Sequence, residues 1–249
     1  MIWETFRGIL IPFLGTSIGA ASVFFLRGEM NSAIRRGLQG FAAGVMLAAS
    51  VWSLLLPAID LSAALGPWAF VPAAVGFWVG VAFLLLLDKW VPNPDPESRG
   101  GTMLTVAVTL HNIPEGMAVG VIYAGYLTGQ GEVTALAALS LALGVALQNI
   151  PEGAIISLPL KSGGMDRTRA FLWGVGSGAV EPLAALATVL CAALVTPLLP
   201  YLLSFAAGAM VIVVVEELIP ETSAQDPHFG AAFLTLGFTL MMALDVALG

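Results

Sequence analysis

Gln148-Asn149-Ile150-Pro151-Glu152-Gly153 lies inside the apolar run from Val133 to Leu160. It is a near-copy of His111-Asn112-Ile113-Pro114-Glu115-Gly116, which interrupts another such run. An ionisable side chain at bilayer depth costs at least about 2.5 to 3.5 kcal/mol on insertion scales, so a chain that carries one twice in the same frame uses it. The surrounding runs decide the fold class. Of 249 residues, 58% are hydrophobic and 10% charged, with a mean hydropathy of +0.94, whereas a soluble domain has roughly 25% charged residues. Crossing about 30 Å of hydrocarbon takes about 20 helical residues, which leaves room for about eight short-looped spans and no sizeable soluble domain. The long unalternating runs exclude a β-barrel. The chain therefore reads as one all-α integral membrane domain over residues 1–249.

Charge-free runs and loop signals predict helices near 5–26, 37–59, 65–87, 102–125, 133–160, 170–195, 199–220 and 229–248. Arg27, Arg35 and Arg36 fall between the first two, Lys89 and Arg99 between the third and fourth, and Lys161, Arg167 and Arg169 between the fifth and sixth. All these basic residues share one face, which the positive-inside rule makes cytoplasmic, with both termini outside the cell membrane. The N-terminus has no basic n-region or A-x-A site, so its apolar stretch is expected to stay as the first helix. The Pro- and charge-rich stretch 88–101 reads as a loop, and 221–228 as a cytoplasmic turn with a solvated His228. A net charge of -7 argues against a nucleic-acid partner. Cys191, the only cysteine, forms no disulfide and reads as a small buried hydrophobe.

Phe41-Ala42-Ala43-Gly44-Val45-Met46 recurs as Phe205-Ala206-Ala207-Gly208-Ala209-Met210, followed by Pro57 and Pro220 respectively. An offset of five helices reverses the direction of travel, so the two copies are inverted repeats with a site expected at their interface near the midplane. Gly15, Gly19, Gly174, Gly176 and Gly178 supply small residues for close helix approach.

His111 and Glu115 are four residues apart and share a helical face, close enough to hold one cation between imidazole and carboxylate. Gln148 and Glu152 repeat the spacing, and together the four make a divalent-metal site of N and O ligands. Pro114 and Pro151 free the carbonyls of Leu110 and Leu147 and kink both helices. Asn112 and Asn149, about 100° round the helix, line an adjoining second site that shares Glu115 and Glu152, and Glu181 beside Pro182 is a natural further ligand. Cations would neutralise these carboxylates in low dielectric. Two other readings use the same groups: amide-mediated helix packing with protonated glutamates, and a proton relay. Neither explains the paired four-residue spacing.

These residues resemble the ZIP family of divalent metal transporters, in its GufA-like branch, whose fourth and fifth helices carry HNxPEG and QNxPEG. The resemblance extends to Glu181-Pro182, to Val214-Val215-Glu216-Glu217-Leu218-Ile219-Pro220, and to the stretch from Ala43 to Ser53. It implies eight transmembrane helices arranged 3+2+3, with inverted symmetry between helices 1–3 and 6–8, and a binuclear metal centre between helices 4 and 5. By the same resemblance His111, Glu115, Gln148 and Glu152 form the primary site, and Asn112, Asn149 and Glu181 with the two bridging glutamates form the second. Met46, Ser53 and Asp60 match an entrance path, and Glu216 and Glu217 an exit. Asn149 departs from relatives that carry aspartate there, which is expected to weaken the second site, and a long His-rich cytoplasmic loop is missing.

The expected function is import of Zn(II) across the lipid bilayer, with Fe(II), Mn(II) and Cd(II) as further cargo and no organic cofactor. Imidazole with carboxylate and amide oxygen disfavours Cu(I). A homodimer is left open. The alternatives are an intramembrane metal-dependent hydrolase with Glu181 as base, and an exporter or proton antiporter using the same ligands.

Overall fold

In an apolar run the backbone has few partners but itself, and every element among the described residues is helical. The computed structural model describes residues 1–25, 31–90, 101–129, 133–191, 196–223 and 227–248, with the backbone alone at 87–90, 101–108, 110, 111, 196 and 227. Arg27, Arg99, the side chains of Lys89 and His111, and positions 91–100 and 224–226 of the two predicted loops lie outside the described residues.

The long helical segments are α1 (Ile2–Phe25), α2 (Ser32–Asp60), α3 (Phe70–Trp90), α4 (Gly101–Leu127), α5 (Ala135–Ser162), α6 (Arg167–Leu190), α7 (Leu199–Ser223) and α8 (Pro227–Leu248). Six segments among the described residues, those of α1, α2, α5, α6, α7 and α8, are long and apolar enough to cross a membrane, and the described apolar part of α3 is shorter. Side chains satisfy the first N–H groups where polar residues flank the runs. Asn31 caps α2, Thr134 caps α5 and Asp166 caps α6. A 3₁₀ turn, Ala63–Trp68, leads into α3 through Gly66, whose φ of 57° suits a residue without Cβ.

Three helices are irregular at their prolines. Pro57 cannot donate to the Ser53 carbonyl, and α2 widens to a π turn over Ser50–Leu55, in which the Leu56 N–H reaches Val51, five residues back. Pro220 does the same to α7, whose π turn spans Val214–Leu218 with the Ile219 N–H on Val214. Both π turns begin nine residues after the phenylalanine that opens the repeated hexapeptide, Phe41 or Phe205. Pro182 has no N–H for the Gly178 carbonyl, and α6 breaks at Ala179, so Glu181 falls in the first turn of its second half.

The main packing partners are α1 with α5, α2 with α8, α3 with α7 and α4 with α6. Exchanging α1 with α6, α2 with α7, α3 with α8 and α4 with α5 maps these pairs onto one another. The glycines of the repeat show the match: a Cβ on Gly44 would lie 1.9 Å from Leu234 O on α8, and one on Gly208 would lie 2.1 Å from Phe77 O on α3. Gln39, near the start of α2, donates through Nε2 to Glu221, near the end of α7, so these two helices run in opposite directions. Two expectations are corrected. Cys191 is exposed, because it caps the end of α6 instead of packing within it, and Gly176 faces open space instead of a close neighbour.

Candidate metal site

Each hexapeptide ends in a glycine on which another helix closes. A Cβ on Gly116 would lie 2.4 Å from the carbonyl oxygen of Glu181, and one on Gly153 would lie 2.1 Å from that of Thr16. So α4 is drawn onto α6 at Glu181, and α5 onto α1 at Thr16.

Four helices then share one polar cluster. Gln148 Nε2 donates to Glu115 Oε1 at 2.7 Å. Asn149 Nδ2 donates to Glu181 Oε2 at 2.7 Å and to Pro12 O at 3.4 Å. Asn112 Nδ2 donates to Ser177 O at 3.1 Å and to Glu181 Oε1 at 3.3 Å. The Thr16 hydroxyl also donates to Glu181 Oε1, at 2.9 Å. Asn112, Gln148, Asn149, Glu181 and Thr16 are fully buried, Glu115 is 2% exposed, and Glu152 is partly buried. Glu115 lies within electrostatic reach of Glu152 and Glu181, and Glu152 within reach of Glu217 on the π turn of α7.

The amide donors in this cluster are used, while four of its side-chain oxygens are not. Asn112 Oδ1, Asn149 Oδ1, Gln148 Oε1 and Glu115 Oε2 are buried without a hydrogen-bond partner among the described residues. Leaving a buried acceptor unpaired costs about 1 to 3 kcal/mol each, and a cation is a group that can take oxygen ligands from several such atoms at once. Among the described residues no three His, Cys, Asp or Glu side chains gather round one point, and amide groups share the cluster with the carboxylates. A half-turn of each amide about its last C–C bond exchanges N–H₂ for oxygen and converts the cluster into an all-oxygen pocket.

The other expected residues lie along the helices that flank this cluster. Met46 is buried in α2, and Ser53 is buried on its π turn. Asp60 is exposed at the end of α2, Glu216 and Glu217 are exposed on the π turn of α7, and His228 is exposed at the start of α8. Two features were missed by reading the sequence. Asp245 on α8 accepts through Oδ1 from Ser53 at 2.7 Å and Ser140 at 2.8 Å, with a buried Oδ2 that has no partner among the described residues. An acidic residue near the end of the apolar run 228–248 was the signal that could have found it. Thr16 was the other, and an isolated threonine in an apolar helix carries no such signal.

The family model described as "ZIP Zinc transporter" matches residues 96–245. Among curated proteins, the chain is similar to "Zinc transporter ZIP11" of Xenopus tropicalis, at 36% identity over all of this chain and 98% of that protein. It is also similar to "Zinc transporter ZIPB" of Bordetella bronchiseptica, at 38% identity over 95% of this chain and 79% of that protein. "Zinc transporter GufA" of Myxococcus xanthus matches at 35% identity over 96% and 97% respectively.

Proposed function

The chain belongs to the ZIP family of zinc transporters, and from that premise we propose that it imports Zn(II) through a binuclear site between α4 and α5. It is a multi-pass membrane protein that transports zinc, and it is not an enzyme. The observation that carries the site is the set of four buried oxygens without partners among the described residues, three of them amide oxygens and the fourth Glu115 Oε2. His111, Glu115, Gln148 and Glu152 hold the first cation. Asn112, Asn149 and Glu181 hold a second, with Glu115 and Glu152 as bridges. Oxygen and imidazole ligands also admit Fe(II), Mn(II) and Cd(II).

The chain spans the cell membrane eight times in a 3+2+3 arrangement, with both termini outside. The pairwise match of α1–α3 with α6–α8 in their packing and their π turns supports this inverted arrangement. Metal enters past Asp60, Ser53 and Met46 and leaves past Glu217 and Glu216, and Asp245 joins the entrance through its bond to Ser53. The bundle of α1, α4, α5 and α6 moves against α2, α3, α7 and α8 to alternate access. Packing that is dense within each group and lighter between them suits such a movement.

The test is zinc uptake into proteoliposomes containing a zinc-sensitive dye. Wild-type protein fills the vesicles, whereas Glu152→Ala and His111→Ala do not. Uptake by both variants at the wild-type rate would sink the assignment of the site.

A further inference from the structure

A hydroxyl inside a helix usually bonds the carbonyl one turn back. Ser17, Ser50, Thr128, Thr188 and Thr239 all do so, each at 2.8 Å. Thr16 forgoes that local bond and donates to Glu181 on another helix. At this position α1 is approached closely on two sides. Gly153 approaches the Thr16 carbonyl so closely that a Cβ would sit 2.1 Å from it, and a Cβ on Gly178 would sit 2.7 Å from Thr16 Cβ.

The internal symmetry identifies what Thr16 is. Gly116 closes α4 on the backbone of Glu181, and Gly153 closes α5 on the backbone of Thr16. When α1 is exchanged with α6 and α4 with α5, Thr16 and Glu181 become counterparts, and the two side chains bond each other at the centre of the cluster.

We propose that Thr16 is a positioning residue for Glu181, holding Oε1 beside the Asn112 amide so that Oε2 stays aimed at the Asn149 amide and at the cation. Glu181 now accepts from three groups: Thr16, Asn112 and Asn149. When the two amides turn their oxygens toward a cation, both withdraw their N–H groups from the carboxylate. The Thr16 hydroxyl then remains as its donor, and without it the carboxylate is free to swing off the ligand geometry. The proposal rests on the reading of Glu181 as a metal ligand.

A double-mutant cycle on zinc uptake in proteoliposomes tests it. Thr16→Val keeps the shape of the side chain and removes the hydroxyl, so it raises KM by about tenfold, the scale of a hydrogen bond to a charged group, with Vmax within about twofold of wild type. Thr16→Ser keeps the hydroxyl and restores KM. In the Glu181→Gln background Thr16→Val has little further effect, because the carboxylate it orients is gone. Should Thr16→Val fail to reach the membrane, Thr16→Ala removes the hydroxyl without bulk and is measured in the same cycle. A wild-type KM in the hydroxyl-free variant, or an equal rise in both backgrounds, overturns the role of Thr16 while leaving Glu181 a ligand. Wild-type uptake by Glu181→Gln overturns the ligand assignment of Glu181, and the role of Thr16 with it.

Discussion

Gln148 Nε2 stands 2.7 Å from Glu115 Oε1, while Gln148 Oε1 and Glu115 Oε2 are buried without partners among the described residues. The amide N–H₂ thus occupies the space beside the carboxylate that a cation would take. Gln148→Glu replaces that donor with a second carboxylate. Two charges about 4 Å apart near an effective dielectric of 20 repel by about 4 kcal/mol, and either a cation or a proton relieves the repulsion. The variant is expected to melt at lower temperature than wild type in chelator and to gain more from added zinc. Thermal unfolding in detergent, with and without Zn(II), measures both, and a zinc-dependent shift no larger than that of wild type would contradict the site.

Asn149 and Glu152 differ in what they can give a cation. Glu152 brings charge and faces Glu115 and Glu217 electrostatically, whereas Asn149 offers one neutral oxygen. Glu152→Ala is therefore expected to abolish uptake. Asn149→Ala should lower apparent zinc affinity and still transport. Equal losses in the two variants would reverse this ranking of the two sites.

Asp245 ties α8 to α2 and α5 through the hydroxyls of Ser53 and Ser140. Asp245→Asn keeps the volume and removes the charge that would draw a cation into the bundle. Uptake measured across zinc concentrations is expected to show KM raised by about three- to tenfold, with Vmax less affected, since one lost charge-assisted contact is worth about 1 kcal/mol or more. An unchanged KM would leave Asp245 as a packing group only.

How much of this was legible in the sequence follows from the range of each signal. Apolar runs broken by a repeated hexapeptide are local, so the helical membrane character and the polar residues of α4 and α5 could be read directly. The repeat of Phe41–Met46 at Phe205–Met210 also pointed to paired halves. The partners of those residues were less legible, because a hydrogen bond from Thr16 to Glu181 spans 165 positions and depends on where Gly153 and Gly178 let α1 sit. Cys191 was misread for a similar reason, since an apolar run does not reveal that its helix ends at Leu190. The prolines were visible, but whether each would kink, break or widen its helix depended on the surrounding helices. Pro57 and Pro220 widen theirs, and Pro182 breaks its own.

The widening before Pro220 places Glu216 and Glu217 on a π turn, one residue out of register with the rest of α7. Pro220→Ala restores an N–H that can bond the Glu216 carbonyl, and removing a proline from a helix interior recovers up to about 3 kcal/mol. The extra residue of the π turn then has to be absorbed by regular helix. That rotates the segment on its N-terminal side by about 100° relative to the segment on its C-terminal side, so Glu217 turns away from Glu152. The variant is expected to unfold at higher temperature than wild type and to take up zinc more slowly, with binding at the central site retained. Melting temperature, zinc stoichiometry and initial uptake rate, measured on one preparation, separate these effects. Faster or unchanged uptake in a more stable protein would show that the π turn serves packing and has no part in the exit path.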